Sequence, residues 1–501
     1  MDLKQQQQAH ALNSLMVPGL TMELALVLLG AFLLLSVVAS KASAKLGVPA
    51  LVLFIGLGML AGSDGPGGIA FEDYGLAKAI GTFSLAAILF AGGLETDWEA
   101  MKSVWRPGLA LSTLGVLISA ALVGWFGHAF LGLSVVEGML LGAVVSSTDA
   151  AAVFGVLRSR AVRLRYRVTP LLEFESGTND PLAVFLTVGC TQLLSIPGLT
   201  PLSLIPELLI QMPVGFLVGW AAGHFGVWVL NHARLEYDGL YPVVTVALMC
   251  LTFGGAHLVH GNEFLAVYIA GLTMGRHNFL KRVTILQFHD GLAWLVQIVM
   301  FLALGLLAFP SRLGEVALAG LGLSAFLIFV ARPISVFLSL AFSRMKKRAK
   351  LAVAWAGLRG AVPIILATFP MMAGVPNAEL IFDIVFFVVL TSVIVQGTTL
   401  PAVSRLLKIM RQGEAEAPDL KRAKDSDLLE VVLGPESEAV GKMLVQLPLP
   451  KTALVVLLKR GGESYIPRGA TVLAGGDVLV VATRREDRQE IRTLLQGKTR
   501  K

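Results

Sequence analysis

The chain has 501 residues, 55% of them hydrophobic and only 15% charged, with a mean hydropathy of +0.74. A soluble globular domain carries about 25% charged residues, so this composition excludes a wholly soluble fold. The formal net charge of +7 invites a nucleic-acid partner, but the placement of the basic residues along the chain argues against one.

The start, "MDLKQQQQAHALNS", is polar and Gln-rich, and residues 1–20 read as a disordered lead-in. The first apolar run, from Met22 to Ser40, is too long for the core of a signal peptide and lacks a cleavage site, so it reads as a span. Apolar stretches long enough for a hydrocarbon core of roughly 30 Å then recur to Arg405. Thirteen spans are expected, at 22–40, 47–62, 77–94, 108–131, 136–157, 170–194, 206–230, 240–259, 263–276, 290–309, 314–342, 350–370 and 380–404. The ninth is short enough to be broken or re-entrant. Cys190 and Cys250 both fall in apolar stretches and imply neither a disulfide framework nor a zinc site.

The loops alternate in charge. Odd-numbered loops hold Lys41 and Lys45, Lys102 and Arg106, five arginines from Arg158 to Arg167, Arg234, Arg276 to Arg282, and Arg344 to Lys350. Even-numbered loops hold Asp64, Glu72, Asp73 and Glu379, with Lys78 and Arg312 as their basic exceptions. This is the positive-inside pattern. It places the N-terminus outside and the tail in the cytoplasm, and makes the basic residues topology determinants rather than a nucleic-acid patch.

Ionisable residues at mid-membrane cost at least about 2.5–3.5 kcal/mol on insertion scales and mark ion paths. In the sixth span, "LLEFESGTNDPLAVFLT" gathers Glu175, Ser176, Asn179 and Asp180, with Gly177 and Pro181 loosening the backbone. Ser176 and Asp180 lie about 40° apart on one helix face. One carboxylate, a hydroxyl and an amide or backbone carbonyl suit a dehydrated monovalent cation. In the fifth span, Ser146, Ser147, Thr148 and Asp149 interrupt an apolar helix, and in the twelfth "AWAGLRGAVPII" sets Arg359 between Gly357, Gly360 and Pro363. Both read as unwound segments of discontinuous helices, seven spans apart, which points to inverted repeats around a midplane site. Arg359 stays charged and needs a carboxylate. Glu175 is the expected partner, leaving Asp180 to exchange. Arg332 reads as snorkelling inward.

After Arg411 the chain turns polar. Residues 406–426 read as a charged linker and 427–498 as a small α/β domain: "DLLEVVL" a strand, "EAVGKMLVQL" a short amphipathic helix, "TALVVLLKR" a strand, "GGES" a turn, "GDVLVVAT" a strand and "REDRQEIRTLL" a closing helix. "GPESEAVGK" has two residues too many for a phosphate-binding loop, and Met443 replaces the required hydroxyl.

"SSTDAAAVF", "ESGTNDPLAVFLT", "DGLAWLVQIVMFLALGLL" and "WAGLRGAVPIILATFPMMAG" resemble the NhaP branch of the monovalent cation:proton antiporters, particularly its potassium/proton antiporters, over roughly residues 20 to 405. The run from Pro467 to Leu479 gives the tail the look of a TrkA-C domain. The resemblance implies an all-α polytopic fold like NhaA, with a dimerisation domain and a core of two crossing broken helices, assembled as a homodimer. It implies Asn179 and Asp180 as the central pair, Asp180 as the cation and proton carrier, Thr148, Asp149 and Ser176 around the site, and Glu175 with Arg359 as a structural ion pair. Close relatives often carry a further domain after the TrkA-C unit, where this sequence stops, so regulation by such a domain is not expected from the resemblance; with no Rossmann lobe read in the sequence, nucleotide binding at such a lobe is not implied. The expected function is electroneutral exchange of K⁺, or also Na⁺, for H⁺ across the bacterial inner membrane, in potassium and pH homeostasis. No enzymatic step, cofactor or resident metal is expected; the partners are lipid, a second copy and a small-molecule or nucleotide ligand of the tail. The rivals are a Na⁺/H⁺ antiporter of the same fold and a cation channel regulated by the tail.

Overall fold

The computed structural model describes residues 22–46, 49–71, 73–159, 164, 167–410, 427–434, 437, 439–450, 452–460, 463–465, 467–483 and 487–496. The lead-in 1–20, most of the linker, and Arg160, Arg163 and Arg165 lie outside them. The chain divides into two units, residues 1–411 and 412–501.

The first unit is helical: α1 Met22–Leu46, α2 Ala50–Ala61, α3 Tyr74–Glu95, α4 Trp98–Lys102, α5 Trp105–Ala110, α6 Val116–Phe130, α7 Val135–Ser146, α8 Ala150–Ser159, α9 Val168–Ser195, α10 Leu204–His232, α11 Leu240–Leu258, α12 Glu263–Arg276, α13 Arg282–Leu306, α14 Pro310–Phe326, α15 Arg332–Ser339, α16 Lys347–Trp355, α17 Ala361–Met372 and α18 Ala378–Leu406. Each of the thirteen expected spans falls on one of these helices or on helices separated by a short break or π-helical turn. Eight helical runs among the described residues are long and apolar enough to cross a membrane, and Ala50–Ala61, Val135–Ser146 and Ala361–Met372 are shorter apolar helices. Outward positions are apolar too, Leu318 at 86% and Leu258 at 80% exposure among them, as a lipid-facing surface requires.

Local chemistry sets the helix starts. At α7 the Ser134 hydroxyl accepts from Glu137 N (3.3 Å) while the Glu137 carboxylate accepts from Ser134 N (2.7 Å), a reciprocal cap. Asp73 caps α3 by accepting from Leu76 N at 2.9 Å. The two basic exceptions of the even-numbered loops have partners. Arg312 pairs with Glu379 and the buried Asp383, each at 2.9 Å, and the Lys78 ammonium lies 4.1 Å from the Phe369 ring centroid.

Two helices are broken where the sequence is polar or glycine-rich. α7 stops at Ser146 and α8 begins at Ala150; α16 stops at Trp355 and α17 begins at Ala361. The breaks touch: Asp149 N donates to the Leu358 carbonyl at 2.8 Å. Gly360 permits that approach, since a Cβ there would lie 1.9 Å from Asp149 Oδ2. The fold is thus the expected polytopic bundle with two crossing broken helices, seven spans apart.

The second unit is a four-stranded antiparallel sheet, β1 Asp427–Val432, β2 Leu454–Arg460, β3 Glu463–Tyr465 and β4 Val478–Thr483, in the order β1-β4-β2-β3, with helix α19 Arg488–Gln496. Leu429, Val431, Leu458, Leu479, Val481, Ile491 and Leu495 form its core. Two expectations are corrected. "EAVGKMLVQL" forms no amphipathic helix, only a 3₁₀ turn at Leu444–Gln446. Gly441 sits at φ +82°, and Gly441 N, Leu444 N and Val445 N donate to the carbonyls of Leu473, Thr471 and Gly469, so the backbone is spent on a neighbouring segment. Glu463 and Ser464, expected in a turn, belong to β3, and Gly461 and Gly462 lie outside the described residues. The buried Asp477 carboxylate accepts from Arg460 Nε and Nη2, both at 2.6 Å, and from Ala474 N at 2.8 Å. The Arg460 hydrogen bonds hold its carboxyl below the usual carboxylate range.

The crossing gives a test. Gly360→Ala forces Asp149 to move, and overpacking of this kind costs about 1–3 kcal/mol. Its thermal midpoint in detergent falls by several degrees, whereas Gly92→Ala, where a Cβ meets nothing within 4 Å, leaves it within a degree or two.

Candidate ion-binding site

The site is built where the break between α7 and α8 meets α9. α9 is continuous from Val168 to Ser195 despite Pro181. Asn179 and Asp180 are fully buried, at 0% and 3% exposure. The Ser147 hydroxyl donates a short hydrogen bond to Asp180 Oδ1. Asn179 Nδ2 donates to Thr148 Oγ1 at 2.6 Å, while Asn179 Oδ1 is buried with no hydrogen-bond partner among the described residues. Asp149 Oδ1 accepts from Ala152 N at 3.0 Å, capping the first turn of α8. Ser176 is half-buried one helical turn before Asp180. Among the described residues no lysine or arginine salt-bridges Asp180.

Lipid-level backbone groups must be satisfied within the protein, and here polar side chains do it. Arg359 Nη1 donates to the carbonyls of Ser146 and Ser147, each at 2.7 Å. Those carbonyls form the open C-terminal end of α7, the negative end of its dipole, so a guanidinium is favoured there. Arg359 N donates to Ser392 Oγ at 3.0 Å, Ser392 Oγ donates to Gln396 Oε1 at 2.6 Å, and Gln396 Nε2 donates to the Trp355 carbonyl at 2.9 Å. Side chains of α18 thereby complete the break between α16 and α17.

The expected ion pair is corrected. Glu175 does not pair with Arg359; it forms a bidentate salt bridge with Arg332, Nη1 to Oε1 at 2.6 Å and Nη2 to Oε2 at 3.0 Å. Both side chains are at most 3% exposed. The reason is geometric. The π-helical turn Leu327–Ala331 immediately precedes Arg332 and shifts the register of its span, and Gly357 in the break leaves room for the guanidinium, since a Cβ there would lie 2.4 Å from Arg332 Nε. Arg359 is already held by the carbonyls of α7. Arg332 is therefore the residue whose role the sequence concealed; an arginine deep in an apolar span was the available signal. Ser147 is the other, overlooked within "SSTD" beside Thr148 and Asp149.

An all-helical bundle of membrane-spanning segments, two crossing broken helices and a buried carboxylate at their crossing define a secondary transporter. The chain belongs to the sodium/hydrogen exchanger family: the profile described as "Sodium/hydrogen exchanger, transmembrane" matches residues 20–406, and the TrkA-C domain profile matches residues 428–496. The "K(+)/H(+) antiporter NhaP" of Alkalimonas amylolytica is 38% identical over 478 residues, 94% of this chain and 83% of the relative. The "K(+)/H(+) antiporter NhaP2" of Shewanella oneidensis is 38% identical over 91% of this chain and 80% of the relative. The "Na(+)/H(+) antiporter NhaP" of Pseudomonas aeruginosa is 29% identical over 66% of this chain and 81% of the relative. The solved structure of the sodium proton antiporter MjNhaP1 from Methanocaldococcus jannaschii superposes with a TM-score of 0.67 at 26% identity, covering 77% of this chain and 99% of that one.

A double-mutant cycle checks the revised pairing. Glu175→Gln and Arg332→Gln each lower the stability of the purified protein by about 3–5 kcal/mol, because each leaves a buried charge uncompensated. Combined, they lose less than the sum, with a coupling of at least about 1 kcal/mol. A larger coupling between Glu175→Gln and Arg359→Gln would restore the original pairing.

Proposed function

We propose that this protein exchanges K⁺ for H⁺ by alternating access, with Asp180 as the group that binds either one proton or one monovalent cation, in an electroneutral one-for-one cycle. The observation that carries this reading is a buried carboxylate free of any arginine or lysine salt bridge among the described residues, beside the open amide oxygen of Asn179. Ser147 donates to the carboxylate, and Thr148 accepts from the Asn179 amide and so aims it. Asp180, Asn179, Ser176, Thr148, Asp149 and Ser147 are the cation- and proton-binding set. Asp149 has a second task, holding the start of α8. Glu175 and Arg332 neutralise each other and supply no exchangeable charge. A cation that enters as one proton leaves alters the local charge little, which is what a low-dielectric site tolerates.

Preference for K⁺ is supported by the names of the relatives that align over more than nine-tenths of the chain. The Na⁺/H⁺ names belong to a more distant relative and to the structural neighbour. The positive-inside pattern supports a cytoplasmic tail and an external N-terminus in the bacterial inner membrane. The TrkA-C tail is read as a regulatory unit that takes a small-molecule ligand, and the working unit as a homodimer.

Proton flux in sealed proteoliposomes under an imposed pH gradient tests the reading. K⁺ dissipates the gradient, Na⁺ does so weakly, and Asp180→Asn abolishes the response by at least about 100-fold. Activity against pH is bell-shaped, since protons displace the cation at low pH and become scarce at high pH, and the optimum moves to lower pH as K⁺ rises. An equal or larger response to Na⁺ would make the protein a sodium/proton antiporter. Cation flux without proton movement would make it a channel.

A further inference from the structure

The face of α9 between Asp180 and its arginine-rich end holds oxygens that the exchange cycle above does not use. Glu173, Gly177 and Asp180 are spaced four and three residues apart, so they fall within about 60° of one another on one face of α9, with Gly177 near the midpoint of a rise of about 10 Å. Opposite Gly177 stands Tyr268 of α12. A Cβ on Gly177 would lie 2.4 Å from Tyr268 Cε2, 2.5 Å from Cζ and 2.9 Å from Oη, so the phenol rests on the bare glycine. Tyr268 is 3% exposed, yet among the described residues its hydroxyl has no hydrogen-bond partner. Thr96 is close by, but its own hydroxyl donates to the Gly92 carbonyl at 2.7 Å, and the phenol reaches it in no proper hydrogen-bond geometry. Glu173, half-buried, is near enough for its charge to act on the phenol.

A buried hydroxyl with no partner costs about 1–3 kcal/mol and calls for an explanation. A second irregularity lies on the same face. Pro181 has no N–H, so the Gly177 carbonyl does not receive the bond that residue 181 gives in a regular helix. A phenol oxygen, a backbone carbonyl and a carboxylate are the hard oxygen donors that replace water around a monovalent cation. Their position is also consistent with a path. α12 is seated against α10, where a Cβ on Gly219 would lie 2.2 Å from the Ala266 carbonyl. Asn262, which caps α12 by accepting from Leu265 N at 2.9 Å, donates to the Pro181 carbonyl at 3.2 Å. α12 and α9 therefore meet along a line running from Pro181, past Gly177, toward Glu173.

We propose that the Tyr268 hydroxyl, the Gly177 carbonyl and the Glu173 carboxylate form a second station for the transported monovalent cation, on the approach to Asp180 from the arginine-rich end of α9. This rests on the reading of Asp180 as the exchanging group. The cation passes from Glu173 to the Tyr268 hydroxyl and the Gly177 carbonyl, and from there to Asp180 and Asn179. Because the station lies on one side of the exchanging carboxylate, it acts on cation entering from that side.

Tyr268→Phe keeps the ring over Gly177 and removes only the oxygen. In everted membrane vesicles, where K⁺ meets the basic loops first, the K⁺ concentration for half-maximal exchange rises roughly five- to tenfold. In right-side-out vesicles it stays within about twofold, and the thermal midpoint is equal to or above that of the unmodified protein, since an unpartnered buried hydroxyl has been removed. Glu173→Gln shifts the everted-vesicle value in the same direction. A Tyr268→Phe value within about twofold of the unmodified protein in both vesicle types overturns the station, and so does an equal rise in both. Asp180→Asn, run alongside, separates the two readings: exchange that persists in that variant overturns the role of Asp180 itself, whatever Tyr268→Phe does.

Discussion

The contact of the Arg359 guanidinium with the last carbonyls of α7 is the interaction on which the rest of the membrane unit depends. A helix that stops in the middle of a bilayer leaves carbonyls with no water to bind, and leaving them bare costs several kcal/mol each. Arg359 covers two of them at once. It comes from the other broken helix, so the same contact that closes one break ties the two together. The Asp149 N to Leu358 carbonyl bond adds a second tie, and Ser392 and Gln396 of α18 cover groups the second break exposes. The unwound backbone is therefore held in a defined shape, and Ser147 and Thr148 keep the orientations that put hydroxyls on Asp180 and Asn179.

The distribution of charge follows from that contact. Two arginines and three carboxylates lie near the crossing. Arg359 is neutralised largely by a helix end. Glu175 is neutralised by Arg332 in a bidentate pair. Asp149 spends an oxygen on the start of α8. Asp180 is left with a hydroxyl donor and no salt bridge among the described residues. A carboxylate fixed to an arginine would hold its charge across the working pH range and could not trade a proton for a cation. With the permanent cations sequestered elsewhere, Asp180 is the acid proposed to do so.

Much of this could be read from the amino-acid sequence, because the bilayer imposes simple rules. Length and apolarity marked the spans, and alternating loop charge kept them in register. The two breaks were visible because "SSTD" and "GLRG" cannot continue an apolar helix at low cost. The partner of Glu175 was not visible. Arg332 and Arg359 are both arginines deep in apolar spans, and the choice between them turns on a π-helical turn at Leu327–Ala331 and on the room left by Gly357. Neither has a sequence signature strong enough to read. In the tail, "EAVGKMLVQL" has a helical pattern of apolar residues, yet backbone bonds to Gly469, Thr471 and Leu473 override it. Tyr268 was hidden for a different reason: its significance lies in a missing hydrogen bond and in contact with Gly177, 91 positions earlier in the chain.

The central claim is that a proton and a cation compete for one carboxylate. The most direct measurement is proton release on K⁺ binding to the purified protein in detergent, read by calorimetry in buffers of different ionisation enthalpy. Competition at Asp180 predicts up to one proton released per K⁺ bound, a fraction that falls as pH rises and vanishes in Asp180→Asn together with K⁺ binding. K⁺ binding with no proton release at any pH would contradict the account.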